Sequence, residues 1–136
     1  MFSAFDVSAS ALAAQRVRLN AISSNLANMA TTRNEAGESE PYKPRYVVFQ
    51  TDLDVTTSGG GMGVKVSSVE LSDKPPMMKH LPGHPDANEE GFVAYPDINQ
   101  ITEFVDSLEA TRAYQANLGV MEITKDLSRQ TLRILA

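Results

Sequence analysis

His80 and His84 are the only histidines in this chain of 136 residues. Their i,i+4 spacing, with Asp86 two residues on, would suit a metal ion if a helix presented them. Pro82 and Gly83 fall between them and Pro85 follows, which rules a helix out. The sequence therefore places both histidines in a solvated loop. The run Gly59-Gly60-Gly61-Met62-Gly63 has the glycine content of a phosphate loop. It lacks the Lys-Ser/Thr pair and the following helix that such a loop needs, so it reads as a flexible turn. Glu89 and Glu90, or Asp52 and Asp54, could imitate a catalytic carboxylate pair, but nothing nearby supplies a base, oxyanion donors or an apolar pocket. Ser23 and Ser24 have no histidine in the same stretch to activate them. With no cysteine there is no thiol nucleophile, disulfide framework or zinc-finger spacing. No catalytic, metal-binding or cofactor-binding residue is assigned.

The elements that would position any such groups are marked by glycine and proline. All 7 prolines lie between Pro41 and Pro96, and 7 of the 8 glycines between Gly37 and Gly91. Both residue types disfavour helix interiors, proline strongly. Two helix-competent arms thus flank a turn-rich middle, dividing the chain at 1–30, 31–97 and 98–136. The net charge of -5 divides as +1, -5 and -1 over these segments. The acidity sits in the middle, and the nearly neutral arms are suited to packing against copies of themselves. An acidic chain without a basic stripe is a poor partner for nucleic acid or anionic lipid. No apolar run approaches the ~20 residues that cross a bilayer. The first residues lack the basic end and apolar stretch of a cleavable signal peptide.

The first arm predicts a helix over 5–30. Phe5, Leu12, Leu19 and Leu26 recur every seven residues, with Ser8, Gln15, Ile22 and Met29 as the neighbouring row. Ser3 and Asp6 resemble a capping box. The last arm predicts a longer helix over 99–135, with Glu103, Asp106 and Glu109 near its start and Arg129 and Arg133 near its end, as the helix dipole favours. Its apolar residues occupy several faces: Ile101, Phe104, Val105 and Leu108 share one, while Val120, Leu127 and Ile134 form a heptad row. Such a helix needs more than one neighbour, and a chain this short points to other chains for them. Between the arms, Tyr46–Gln50, Val64–Leu71 and Gly91–Tyr95 predict three short strands. The fold class is α+β: two long terminal helices around a small, irregular, β-rich middle.

The stretch Asn20–Asn28 is crowded with Asn and Ser inside a predicted helix, although these side chains compete for backbone hydrogen bonds. In an interface they can instead fix register, and that reading makes the stretch an assembly surface.

The residues then resemble a family. Ser8-Ala-Ser-Ala-Leu-Ala-Ala-Gln15, Arg18-Leu-Asn20 and Ser24-Asn-Leu-Ala-Asn28 look like the N-terminal signature of bacterial flagellar rod and hook axial proteins. Thr111-Arg-Ala-Tyr-Gln-Ala-Asn117 looks like their C-terminal signature. Pro41-Tyr-Lys43, Val47–Gln50, Pro82-Gly83-x-Pro85 and Gly91-Phe-Val-x-x-Pro96-Asp-Ile98 resemble one short proximal-rod branch of that family, and the sibling short proximal-rod branch is the alternative. One departure stands out. Rod proteins commonly carry a Thr-Pro-Gly-Tyr turn after the first helix, whereas here Ala30-Thr-Thr-Arg33 runs into an acidic insert and only Pro41-Tyr42 resembles that turn.

The resemblance implies that the two arms pair as a coiled coil and that copies stack helically into a rod. The rod transmits motor torque and encloses the export channel. Implied partners are copies of the chain, other proximal and distal rod proteins, and the adaptor joining the rod to the membrane ring and export gate. The implied location is the periplasmic part of the basal body, reached through the flagellar type III apparatus. On this reading Leu12, Leu19, Ile22 and Leu26 pack against Leu108, Leu118, Met121 and Leu132 of the same chain, while Asn25, Asn28, Tyr114, Gln115 and Asn117 meet neighbouring subunits. The arms are expected to be poorly ordered until assembly. Two other classes stay open: a small metal-dependent hydrolase using His80 and His84, and a stand-alone helical adaptor.

Overall fold

The computed structural model describes residues 2–135, with side chains from residue 4 onward. Its elements are α1 (Phe2–Ala27), β1 (Arg45–Thr56), β2 (Met62–Leu71), β3 (Met77–His80), β4 (Phe92–Tyr95) and α2 (Gln100–Leu135). The class is α+β. Helix α1 starts before Ser3, so Ser3 lies inside the helix instead of capping it, and its side chain falls outside the described residues.

Helix α1 ends at Ala27, short of the expected 30, because Asn28 closes it. Its backbone N–H and its side-chain amide both donate to the Ser24 carbonyl, at 3.1 and 2.9 Å. That satisfies a carbonyl the helix end would leave open. Helix α2 opens on an Asn cap. The Asn99 Oδ1 accepts from the N–H groups of Ile101 (3.0 Å) and Thr102 (3.2 Å).

β1 and β2 form an antiparallel hairpin. Its turn is held by Thr57, whose N–H donates to the Gly61 carbonyl and whose Oγ1 accepts from the Gly61 N–H, each at 2.8 Å. Gly60 takes φ +83°, which favours glycine. Ser67 has no partner across from it, and beyond this bulge Val69 and Leu71 stand exposed. The apolar alternation of Val64 and Val66 breaks there, while burial goes on alternating to Val69.

β3 and β4 form a second two-stranded antiparallel sheet. β3 was not expected. Met77–His80 is short and shows no alternation in burial, and pairing with β4 is what makes it a strand. His80 therefore ends a strand and does not lie in a loop.

The hairpin lies along α1. The Arg45 N–H donates to the Asn25 Oδ1 at 2.8 Å, and the Val64 N–H donates to the Ser10 Oγ at 3.1 Å. Val64 pairs with Thr51. From Arg45 to Thr51 the strand rises about 20 Å, and from Asn25 back to Ser10 the helix rises about 22 Å, so the two run in step. Gly63 makes the close approach possible. A Cβ there would sit 2.8 Å from the Val55 Cβ and 3.0 Å from the Ser10 Oγ.

α1 and α2 pack side by side and antiparallel, since Asn25 meets Glu103 while Arg18 meets Glu109. The side chains between them correct the expected leucine seam. Ile22 is buried and Leu12, Leu19 and Leu26 are half-buried, but Leu108 is 60% exposed, Leu118 44% and Leu132 66%. Of the four expected partners on α2 only Met121 is half-buried. α2 turns Glu103 and Ala110 fully inward, with Ser107, Thr111, Tyr114 and Asn117 half-buried beside them. Helical phase gives the reason. Residues 103, 110, 114, 117 and 121 share one face, and that face mixes Glu103, Tyr114 and Asn117 with Ala110 and Met121, without a leucine among them. Leu108 falls on the other side and Leu118 about 70° off this face, while Leu132 is in phase with Tyr114 but lies past the described start of the antiparallel α1.

Candidate assembly surface and its internal anchor

The site has two parts: a polar joint inside the chain and apolar patches outside it. The joint centres on Asn25, only 1% exposed. Its Oδ1 accepts from the Arg45 N–H (2.8 Å) and the Tyr42 hydroxyl (3.2 Å). Its amide donates to the Arg45 carbonyl (2.9 Å) and reaches the two Glu103 oxygens at 3.4 and 3.3 Å. One side chain thus ties α1 to β1, to α2 and to the segment entering β1. The Ser24 and Tyr42 hydroxyls lie 3.0 Å apart and close the same cluster. The expectation that Asn25 meets a neighbouring subunit is therefore corrected, because its polar atoms are engaged within the chain and it has almost no surface.

Glu103 is 5% exposed. Burial pushes its carboxyl above the ordinary glutamate range, the Asn25 hydrogen bond opposes this, and the Asp106 charge adds to it. Burial also raises the Tyr46 phenol, with Glu103 contributing. Arg18 directs its guanidinium to Glu109 (3.3 Å) and Asp106 (3.6 Å) at the rim. Sequence reasoning gave Glu103 only a helix-dipole role. The available signal was its spacing: seven residues before Ala110, it shares the inward face of α2.

The other expected interface residues divide. Asn28 caps α1, and its Oδ1 accepts from the Thr31 hydroxyl at 3.1 Å. Asn117 returns its amide to the Ala113 carbonyl at 2.9 Å. Tyr114 is half-buried and Gln115 exposed. The outward side of α2 carries Ile101, Phe104, Val105 and Leu108 near its start and Val120, Ile123, Leu127 and Ile134 further on, all exposed. These eight side chains lie within roughly 160° of arc at 100° per residue, opposite Glu103 and Ala110. They form two exposed apolar patches, 101–108 and 120–134, separated by Glu109, Arg112 and Gln115 on the same side.

The acidic insert is ordered by its own side chains. The Asn34 Oδ1 accepts from the Glu38 N–H (3.0 Å), its amide donates to the Glu38 and Glu40 carboxylates (3.0 and 3.1 Å), and Gly37 takes φ +80°. Asp86 locks this segment to the β3–β4 loop. It pairs with Arg33 at 2.6 Å and accepts from the Thr32 hydroxyl at 2.7 Å, and these contacts, the Thr32 bond foremost, hold its carboxyl below the ordinary range. The His80 ring meets Phe92 edge-on at 5.0 Å and the His84 ring meets Tyr95 at 6.4 Å. Among the described residues no group of three or more His, Cys, Asp or Glu converges as a metal set would. Among them, too, no helix is long and apolar enough to cross a membrane.

Known proteins match the chain along these same elements. Residues 5–33, spanning most of α1, match the family described as "Flagella basal body rod protein". Residues 89–134, spanning β4 and α2, match "Flagellar basal body rod FlgEFG protein C-terminal". The flagellar basal-body rod protein FlgC of Bacillus subtilis is 41% identical, covering 98% of this chain and 97% of the relative. FlgC of Salmonella typhimurium is 40% identical, covering 96% and 94%. FlgC of Borreliella burgdorferi is 35% identical, covering 99% and 97%. Near-complete coverage at these identities, with both helices and the middle aligned in order, shows that this chain belongs to the FlgC family of flagellar basal-body rod proteins.

Proposed function

We propose that this chain is a structural subunit of the flagellar basal-body rod and works by assembly, without catalysis. The observation that carries the mechanism is the pair of outward apolar patches on α2. A helix that turns Glu103, Ala110 and their half-buried neighbours to its own chain leaves most of its aliphatic side chains for other chains.

Copies of the chain and other rod proteins cover those patches and stack with helical symmetry into a tube. Segments 1–30 and 98–136 form its inner, coiled-coil wall, and 31–97 packs outside. The tube transmits torque and encloses the export channel. It stands in the periplasm, reached through the flagellar type III apparatus without a cleaved signal peptide, and its base meets the adaptor to the membrane ring and export gate. The assembly contacts include Leu108, Gln115, Leu118 and Leu132, which are exposed here, and the exposed parts of Tyr114 and Met121, which are half-buried on the side facing α1. The arms complete their order on assembly. Arm amides as strongly protected from exchange in a dilute monomer as in the assembled rod would contradict that last point.

The test is electron microscopy of basal bodies from a flagellated strain lacking this gene. Complementation with the natural gene should restore rod and hook. Complementation with Leu127→Asp should leave rings without a completed rod. Complete rods in the deletion strain itself would overturn the proposal.

A further inference from the structure

The joint between α1 and α2 holds a carboxylate with too few donors. Glu103 is 5% exposed, and its described hydrogen-bond donor is one Asn25 amide, at 3.3 and 3.4 Å. The same amide also serves the Arg45 carbonyl at the shorter distance of 2.9 Å. Two N–H groups therefore face three acceptors, and the anion receives the weakest share. An ionised carboxylate ordinarily needs two or three good donors or a cation to stay buried.

The charged and titratable neighbours do not make up the deficit. From α1, Arg18 is turned to Glu109 and Asp106. From β1, Arg45 contributes its backbone, its side chain being exposed, and Tyr46 contributes a phenol. From α2, Asp106 adds a like charge. From the segment before α2, Asp97 adds another acid near Tyr46.

We propose that buried Glu103 is a charge-gated latch, which holds the start of α2 against α1 while it is neutral; on ionising, the cost of burying its charge exceeds what its one Asn25 hydrogen bond returns, and the joint loosens. The sign follows from burial. A carboxyl raised in the folded state contributes stability that is fully present below its unfolded value and is lost as pH rises through the folded value. The bonds between α1 and the hairpin, Arg45 to Asn25 Oδ1 and Val64 to Ser10, involve no ionising group. The latch therefore acts on α2 more than on the hairpin, and α2 is the element that carries the outward apolar patches.

The experiment uses the full chain. Carbon-detected NMR follows the Glu103 carboxyl, and amide exchange, corrected for intrinsic rates, follows residues 103–110 of α2 and 45–51 of β1 from about pH 3.5, below the ordinary glutamate value, to pH 8. The expected result is that protection of 103–110 falls about tenfold across the Glu103 titration, while 45–51 changes less. Glu103→Gln and Glu103→Met should both flatten the α2 response. A Glu103 midpoint within the ordinary glutamate range, or a wild-type response flat through that midpoint, would overturn the latch. So would variants that keep the wild-type slope. The first two readouts need no variant to fold.

Discussion

Helices α1 and α2 begin from similar material, yet the fold treats them differently. α1 is gripped on two sides, by α2 and by the β1–β2 hairpin, with its polar Ser10 and Asn25 engaged by the backbone of β2 and β1. α2 is gripped on one side, through Glu103, Ala110 and their half-buried neighbours, and presents most of its aliphatic side chains to the outside. α1 is covered on two sides within its own chain, whereas α2 is covered on one, and on the proposed function other chains cover the rest. On that reading, function concentrates where the chain leaves its own helix uncovered.

The largest way to break this comparison is to charge the outer patch at 120–134. Val120→Asp with Leu127→Asp should abolish swimming, while the isolated chain's unfolding free energy moves by less than about 1 kcal/mol. Both residues are exposed. A motile double variant would sink the assignment of that patch to docking. Next comes the anchor of α1. Asn25→Ala removes the bonds to Arg45 and Tyr42 and strips Glu103 of its amide, and should cost about 3 kcal/mol in a denaturant titration. A loss below about 1 kcal/mol would mean that the joint does not hold α1.

Gly63→Ala comes third. The added methyl meets Val55 and Ser10, and should cost about 1–3 kcal/mol, read as a lowered melting temperature. Asp86→Asn is smaller and depends on pH. A carboxyl held below its ordinary value stabilises above the unfolded value, and that contribution disappears as pH falls through the folded value. The variant should lose stability at neutral pH and show a flatter acid limb than the natural protein. The smallest effect belongs to His80→Ala with His84→Ala, which should leave swimming near normal. Lost motility in a stably folded double variant would reopen a role for these rings.

Legibility in the sequence followed how local each feature is. The two helices, the strands β2 and β4 and the first half of β1 were readable because periodicity and the glycine and proline clusters act over a few residues, whereas the run of β1 on to Thr56 and its pairing with β2 were not read. β3 was not, since Met77–His80 becomes a strand only through its partner. Leu108, Leu118, Met121 and Leu132 of α2 were expected in an intrachain seam through the family resemblance. Burial places Glu103 and Ala110 inward instead, a choice set by the Asn25–Glu103 joint between residues far apart in sequence. The same non-locality hid the role of Asn25, whose residue type promised an interface and whose position gives it an internal one. Asn34 and Asp86 ordered the acidic insert through side chains that no local pattern relates.

The matched rise of hairpin and helix has a mechanical consequence. The bonds from Asn25 to Arg45 and from Ser10 to Val64 lie about 20 Å apart along the same axis. A force directed along α1 loads both fastenings, and the side chains between them, in shear and at the same moment. A force lifting the hairpin away from the helix would peel them one after the other, starting at whichever end it pulls. The same few contacts therefore make a stiff coupling along the helix and a compliant one across it.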